Sequence, residues 1–197
     1  VQQAASALAS IEAAEEDRLS ALLDVLEQDD SLNEAFARKD RAALLAEAGP
    51  LLRRLREAHG VTHWYFHPVD PGAGVLLRVH QPELRGDVVR RPSLRRAVAS
   101  GAEARGVELG RTSYAVRVVR PWASKGRRLG YVELGTDIDS FLIRLARLTG
   151  DEYGMLLDKG QLDRVSWQRV SVRPERWEER SELLEVGRSG GDGSLLG

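Results

Sequence analysis

Two hydrophobic periods divide the chain. Over residues 1–58 apolar side chains recur at helical spacing: Leu8, Ile11, Leu19, Leu22, Leu23, Val25 and Leu26 form one stripe, while Glu12, Glu15, Glu16 and Asp17 fill the other side. Gly and Pro are absent before Gly49-Pro50. Asp29-Asp30-Ser31 followed by Glu34 reads as a break and a new capping box. A short helix with Leu32, Ala35 and Phe36 follows. Asp40 then caps a third segment that carries Leu44, Leu45, Leu51, Leu52 and Leu55 and ends near His59-Gly60. From residue 61 the period falls to two. Residues 61–67 are β-branched and aromatic, 68–74 have turn chemistry, and 75–80 form a second strand, so 61–80 is predicted to be a β-hairpin. Residues 82–91 read as polar loop, and Ser93 is expected to cap a short helix through Ala99. Strands are predicted at 104–110, 112–120 and 127–135, the last two joined by a turn at 122–126. Asp137 or Asp139 caps a helix through Leu148, with Phe141, Leu142, Leu145 and Leu148 on one side. Residues 153–157 and 183–186 are further strand candidates, and 188–197 read as a flexible Gly/Ser tail.

That order predicts an α+β fold: a PAS-like antiparallel sheet of about five strands with a long N-terminal helix and flanking helices. The expected organisation is a helical region over 1–58, a PAS-like core over 59–158 and a C-terminal segment over 159–197. The apolar stripe of the first helix can pack on its own domain or be shared with a second copy, as in a homodimer.

Strand alternation also sorts the polar residues. Val61, His63, Tyr65 and His67 share one face of their strand, opposite Thr62, Trp64 and Phe66. In the next strand Arg78 and His80 alternate with Leu77 and Val79. A register with Tyr65 opposite Arg78 and His63 opposite His80 places these groups together. Closing the later pair at 121–126 sets Arg117 beside Tyr131, with Glu133 one diagonal away. One sheet face is thus predicted to carry His63, Tyr65, Arg78, His80, Arg117, Tyr131 and Glu133. Exposed, it would be the wet side of a one-sided sheet. Covered by the helices near 93–99 and 137–148, its guanidinium and phenol groups would form an anion pocket.

Composition narrows the chemistry. Among 197 residues, 42% hydrophobic and 30% charged describe a globular chain, and a net charge of −1 argues against dedicated nucleic-acid binding. No run approaches the roughly 20 apolar residues of a membrane span, so any membrane segment is expected outside these residues. The absence of Cys excludes disulfides, thiolate catalysis and thioether-linked haem, and no cofactor is expected. Of the 29 basic residues only Lys39, Lys125 and Lys159 are lysines. That reflects either codon bias or arginine forks that hold anions. His63 and His67 lie roughly 13 Å apart along a strand, too far to share a metal ion. His63 with His80 is close enough, but a third ligand is not evident. No Gly-x-Ser-x-Gly elbow or phosphate loop occurs, Ser113 has no argued base, and no catalytic residue is assigned. Arg90-Arg91 and Arg95-Arg96 are expected on a solvated face.

The stretches His63-Trp64-Tyr65-Phe66-His67, Leu77-Arg78-Val79-His80-Gln81-Pro82-Glu83, Gly86-Asp87, Gly106-Val107-Glu108-Leu109-Gly110, Arg117-Val118-Val119-Arg120-Pro121-Trp122 and Gly130-Tyr131-Val132-Glu133-Leu134-Gly135 form an ordered set. Taken together they resemble the extracytoplasmic Cache-type sensor domains of bacterial histidine kinases and chemotaxis receptors, over residues 18–170. The resemblance implies a periplasmic, non-enzymatic input domain of a membrane-anchored receptor. It also implies a small ligand, a carboxylate or an amine, bound on the sheet face, and a relay through the first helix. Some relatives carry two stacked modules, and only one is convincing here. The competing reading is a dimerisation or scaffold domain with no small-molecule ligand.

Overall fold

Asp29, Asp40 and Asp137 start helices, and Gly60, Gly101 and Gly150 stop them. In the computed structural model, which describes residues 2–110, 114–162, 164–170 and 174–190, α1 (Gln2–Leu26) buries Leu19, Leu23 and Leu26. Helix α2 (Asp30–Ala37) begins where the Asp29 carboxylate accepts from the Leu32 N–H at 3.0 Å. Asp29, not Ser31 of the expected capping box, is the cap, because the chain turns one residue pair earlier than the motif suggested. Asp40 caps α3 (Arg41–His59) through the Ala43 N–H, as expected. Gly60 closes that helix in the left-handed region at φ 67°. No helix among the described residues is long and apolar enough to cross a membrane.

The chain divides into two compact units, one drawn from residues 1–108 and 116–136, the other from 109–115 and 137–197. A five-stranded sheet organises the first. Its strands are β1 (His63–Pro68), β2 (Leu77–Arg78), β3 (Ala104–Leu109), β4 (Tyr114–Ser124) and β5 (Arg127–Asp137), in the order β2-β1-β5-β4-β3. The fold class is the predicted α+β arrangement. One face carries Trp64, Phe66, Val116, Val118, Val132 and Leu134, all fully buried. Phe36 of α2 packs edge-on against Phe66 with ring centroids 5.1 Å apart. Trp122 donates its indole N–H to Asn33 Oδ1 at 2.7 Å, and Asn33 Nδ2 donates onward to the Glu27 carbonyl at 2.8 Å. Gly130 is required at a close approach: a Cβ there would lie 2.1 Å from the His67 carbonyl oxygen and 2.7 Å from Phe36 Cζ. The other face is covered by α4 (Pro92–Ser100), whose Leu94 and Ala97 pack with Ala104, Val119 and Tyr131.

Four local expectations are corrected. The second hairpin strand is only Leu77–Arg78 within the ladder. Val79 N–H still donates to the Trp64 carbonyl at 2.9 Å, but Gln81 N–H turns back to the Arg78 carbonyl and Pro82 has no N–H to offer. The β4–β5 connection is tighter than 122–126: Trp122 lies within β4, and Lys125 (φ 50°) with Gly126 (φ 73°) makes the turn. Ser93 does not cap α4. Pro92 occupies its first turn, and the Ser93 N–H and Oγ both donate to Glu108 at 2.6 and 2.7 Å. Leu148 is exposed, whereas Phe141, Leu142 and Leu145 are buried.

The second unit holds α5 (Ile138–Thr149), capped by Asp137, together with β6 (Gly154–Asp158), α6 (Arg164–Val170) and β7 (Leu183–Arg188). Strands β6 and β7 pair antiparallel, and Trp167, Trp177 and Leu184 form a small core. Gly187 lets α5 lie on β7, since a Cβ there would meet Ile138 Cγ2 at 2.5 Å. Ser113, the start of the strand expected from residue 112, and the tail beyond residue 190 lie outside the described residues.

Asn33→Ala would leave the buried Trp122 N–H without an acceptor. It is expected to destabilise the chain by about 1–3 kcal/mol, read as a lower urea midpoint at unchanged m-value.

Candidate functional site

Pairing of β1 with β5 sets His63 opposite Gly135, Tyr65 opposite Glu133 and His67 opposite Tyr131, while β2 sets Arg78 opposite Tyr65. Side chains of directly paired residues share a face. The α4-covered face therefore carries a file of polar groups on three neighbouring strands, and Arg117 of β4 joins them.

Glu133 is the centre of this face. It is 0% exposed and accepts from Arg91 Nη2 with both oxygens at 2.6 Å and from Arg117 Nη1 at 2.7 Å. His67 Nε2 lies 3.2 Å from its second oxygen. Burial alone would raise the Glu133 pKa, but the two guanidinium groups and the His67 hydrogen bond outweigh it and hold the carboxyl well below the usual range. The three histidines beside it are lowered as well, here by burial itself. Burial lowers His63 and His67 below 6.5 and takes His80 down to about 4. Nearby Arg117 and Arg91 reinforce the shift at His63. With neutral imidazoles, two arginines face one carboxylate and the cluster carries one net positive charge.

Arg117 supplies more donors than Glu133 uses. Its side chain is 0% exposed, yet Nε and Nη2, which share one edge of the guanidinium, have no acceptor among the described residues. Arg91 Nε is in the same position. Tyr65 gives the cations an aromatic wall, its ring centroid 5.4, 4.8 and 5.8 Å from the guanidinium carbons of Arg78, Arg91 and Arg117. The His63, Tyr65 and His67 rings lie near-parallel along β1, and His80 sits edge-on to His63 and Tyr65 at 4.8 Å. His80 also lines an outer cavity of about 430 Å³ between α3 and Val79. Gly135 completes the floor, where a Cβ would lie 3.4 Å from both Arg117 Cγ and His63 Cβ.

Of the residues named from sequence, His63, Tyr65, His80, Arg117 and Glu133 are gathered here. Arg78 lies on the same face, but its guanidinium grips Asp87 through both terminal nitrogens, at 2.6 and 2.7 Å, and the Leu84 carbonyl at 2.9 Å. It anchors the covering loop. Tyr131 packs in the α4 cluster, and its hydroxyl accepts from Arg128 Nη1 at 3.3 Å, away from the Arg91–Arg117–Glu133 cluster. Arg117 instead meets Glu133, to which its Nη1 donates. Arg91 and His67 were missed. Arg91 belongs to the basic run expected in solvent, yet it is 9% exposed and precedes the helix that covers the sheet. Leu94 and Ala97, one helical step apart and both buried, were the signal that this segment turns inward. Among the described residues no group of three or more His, Asp or Glu is placed to hold a metal ion.

The depressed pKa values have a definite sign. Below pH 6.5 the unfolded chain protonates its histidines while folded His63, His67 and His80 stay neutral, so stability falls as pH drops from about 6.5 toward 4. Glu133 adds a further loss as pH falls below 4.5, the ordinary value from which it is lowered. Urea unfolding is expected to show a plateau above pH 7, then a decline of up to about 1.4 kcal/mol per pH unit for each histidine. His80→Gln should make that decline shallower.

Among curated proteins no sequence matches the chain. In fold it is similar to the E. coli DcuS sensor domain at 15% identity and a TM-score of 0.55, over 72% of this chain and 99% of that one. It is also similar to the periplasmic domain of Vibrio cholerae LuxQ at 11% identity and a TM-score of 0.54, over 95% of this chain and 80% of that one. At such identities the likeness concerns fold alone. The sequence itself matches the dCache_3 family model, described as a double sensory domain of two-component sensor kinase, over residues 2–186. With nearly the whole chain matched, this protein belongs to that family of sensor domains.

Proposed function

We propose that the chain is the extracytoplasmic, ligand-sensing input domain of a membrane-bound receptor, and that it binds a small carboxylate on the α4-covered sheet face. The observation that carries this reading is the free edge of Arg117. Nε and Nη2 point the same way, as the two prongs that a carboxylate engages in a bidentate pair. A fully buried guanidinium with two unmet donors is costly, and a ligand carboxylate would satisfy both. The excess positive charge of the cluster favours the same ligand class. Tyr65 and neutral His63 and His80 can orient the rest of the molecule by stacking and hydrogen bonding. Glu133 holds Arg117 and Arg91 in place and can accept from an amine on the same ligand. Arg78 supports the site through the loop it anchors, and Tyr131 through α4. No reaction is assigned: no nucleophile with a base lies among these groups. Occupancy would reach the rest of the receptor through α1, whose apolar stripe also suits pairing with a second copy.

A thermal-shift series with acetate, succinate, benzoate and neutral acetamide tests the reading. A carboxylate at 100 times its dissociation constant is expected to add about 2.7 kcal/mol of stability, and acetamide nothing. Arg117→Lys keeps the charge but removes the two-pronged edge, and should weaken that carboxylate about tenfold or more. No shift with any carboxylate, or unchanged binding by Arg117→Lys, would overturn the assignment in favour of a scaffold domain.

A further inference from the structure

We propose that β4 and β5 form a two-sided link that ties the charge arrangement around Arg117 and Glu133 to the position of α1 through Arg120 and Thr136. The inference rests on the reading of Arg117 and Glu133 as the ligand site, and it adds how that site would be felt outside the sheet.

The two strands repeat one spacing. On β4, Arg117 faces the covered site, and three residues later Arg120 leaves from the opposite face. On β5, Glu133 faces the site, and three residues later Thr136 leaves from the opposite face. Both distal residues hold α1. Arg120 Nη2 donates to Ser20 Oγ at 2.8 Å and to the Ser20 carbonyl at 3.3 Å, and its Nη1 pairs with Asp24. The same Nη1 lies 3.7 Å from Glu27. Thr136 Oγ1 accepts from Arg18 Nη2 at 3.1 Å, and Arg18 is itself tied to the buried Glu15.

Glu103, just before β3, locks the arrangement. It accepts from Arg120 Nε and Nη2 at 2.9 and 2.6 Å, from Ser20 Oγ at 2.9 Å and from Arg105 Nε at 2.7 Å. Arg105 reaches Asp17 of α1 at 2.5 Å. Asp17, Ser20 and Asp24 recur every three or four residues, a polar line down α1 beside its buried leucines that Glu27 continues just past the helix end. A helix that slid or rotated would move that line off the arginines.

The connecting residues leave little slack. Val118, Val119 and Leu134 are fully buried, so a shift of Arg117 or Glu133 along its strand is transmitted over the roughly 10 Å to Arg120 or Thr136. Two alternative arrangements of the arginines around Glu133 would then differ in how well α1 is held. That difference is the coupling by which a ligand shifts a population.

Hydrogen exchange on the full 197-residue chain, read over residues 15–27, tests the link without needing the ligand. Glu133→Gln keeps the side-chain size and removes the charge the arginines hold. It is expected to speed exchange in 15–27 at least fivefold more than Leu94→Ala, which loosens the α4 cluster with Ala104, Val119 and Tyr131 on the same sheet face. In a background of Arg120→Met with Thr136→Val, adding Glu133→Gln should change exchange there less than twofold. Equal effects of Glu133→Gln and Leu94→Ala, or a response that persists in that background, would overturn the link. If Glu133→Gln does not fold, Arg117→Lys is read by the same criteria. Carboxylate binding with no exchange response rejects the link alone; the exchange response without carboxylate binding rejects the ligand reading alone.

Discussion

A carboxylate with no exposed surface survives inside this sheet only because two arginines reach it. Glu133 would be driven toward its neutral form by burial, and Arg91 and Arg117 reverse that. Removing one partner from such a buried cluster typically costs about 3–5 kcal/mol, more than a surface pair is worth. The rest of the first unit is arranged around this demand. Arg117 must come from β4, Arg91 from the segment entering α4, and His67 from β1, so the sheet order and its covering helix are both prerequisites of one charge cluster.

The covering segment is held from both sides for the same reason. Arg78 at its start grips Asp87 and the Leu84 carbonyl, and Arg91 at its end grips Glu133. A loop of polar composition thereby becomes a fixed wall without a regular element of its own. The second unit repeats the device on a smaller scale, with Glu185 of β7 accepting from Arg188 and paired with Arg176.

Much of this was legible in the chain, for physical reasons that can be named. Helical and strand periods differ enough that the change at residue 61 marked the passage from helices to sheet. Asp40 and Gly60 carried their capping roles openly. The alternation of His63, Tyr65 and His67 against Trp64 and Phe66 showed which side of β1 was polar, and Arg78 opposite Tyr65 followed from the hairpin. What alternation could not show was covering and register. Arg91 is indistinguishable from Arg90 as a residue type, and only the packing of Leu94 and Ala97 draws it inward. Whether Arg117 meets Tyr131 or Glu133 depends on the β4–β5 register, which alternation within each strand leaves open. Arg78 and Tyr131 were placed on the right surface, but their partners lie in a loop and a helix that strand periodicity does not address.

The three-residue steps from Arg117 to Arg120 and from Glu133 to Thr136 have an evolutionary side. An odd step in a strand puts its two ends on opposite surfaces, so the pairs hold their division of labour by length as much as by identity. A substitution at Val118, Val119, Leu134 or Gly135 perturbs packing locally. One residue gained or lost in either interval would bring both ends onto the same surface and erase one of the two contacts altogether. These two intervals should therefore drift in sequence while staying constant in count, a signature that conservation of residue type alone would overlook.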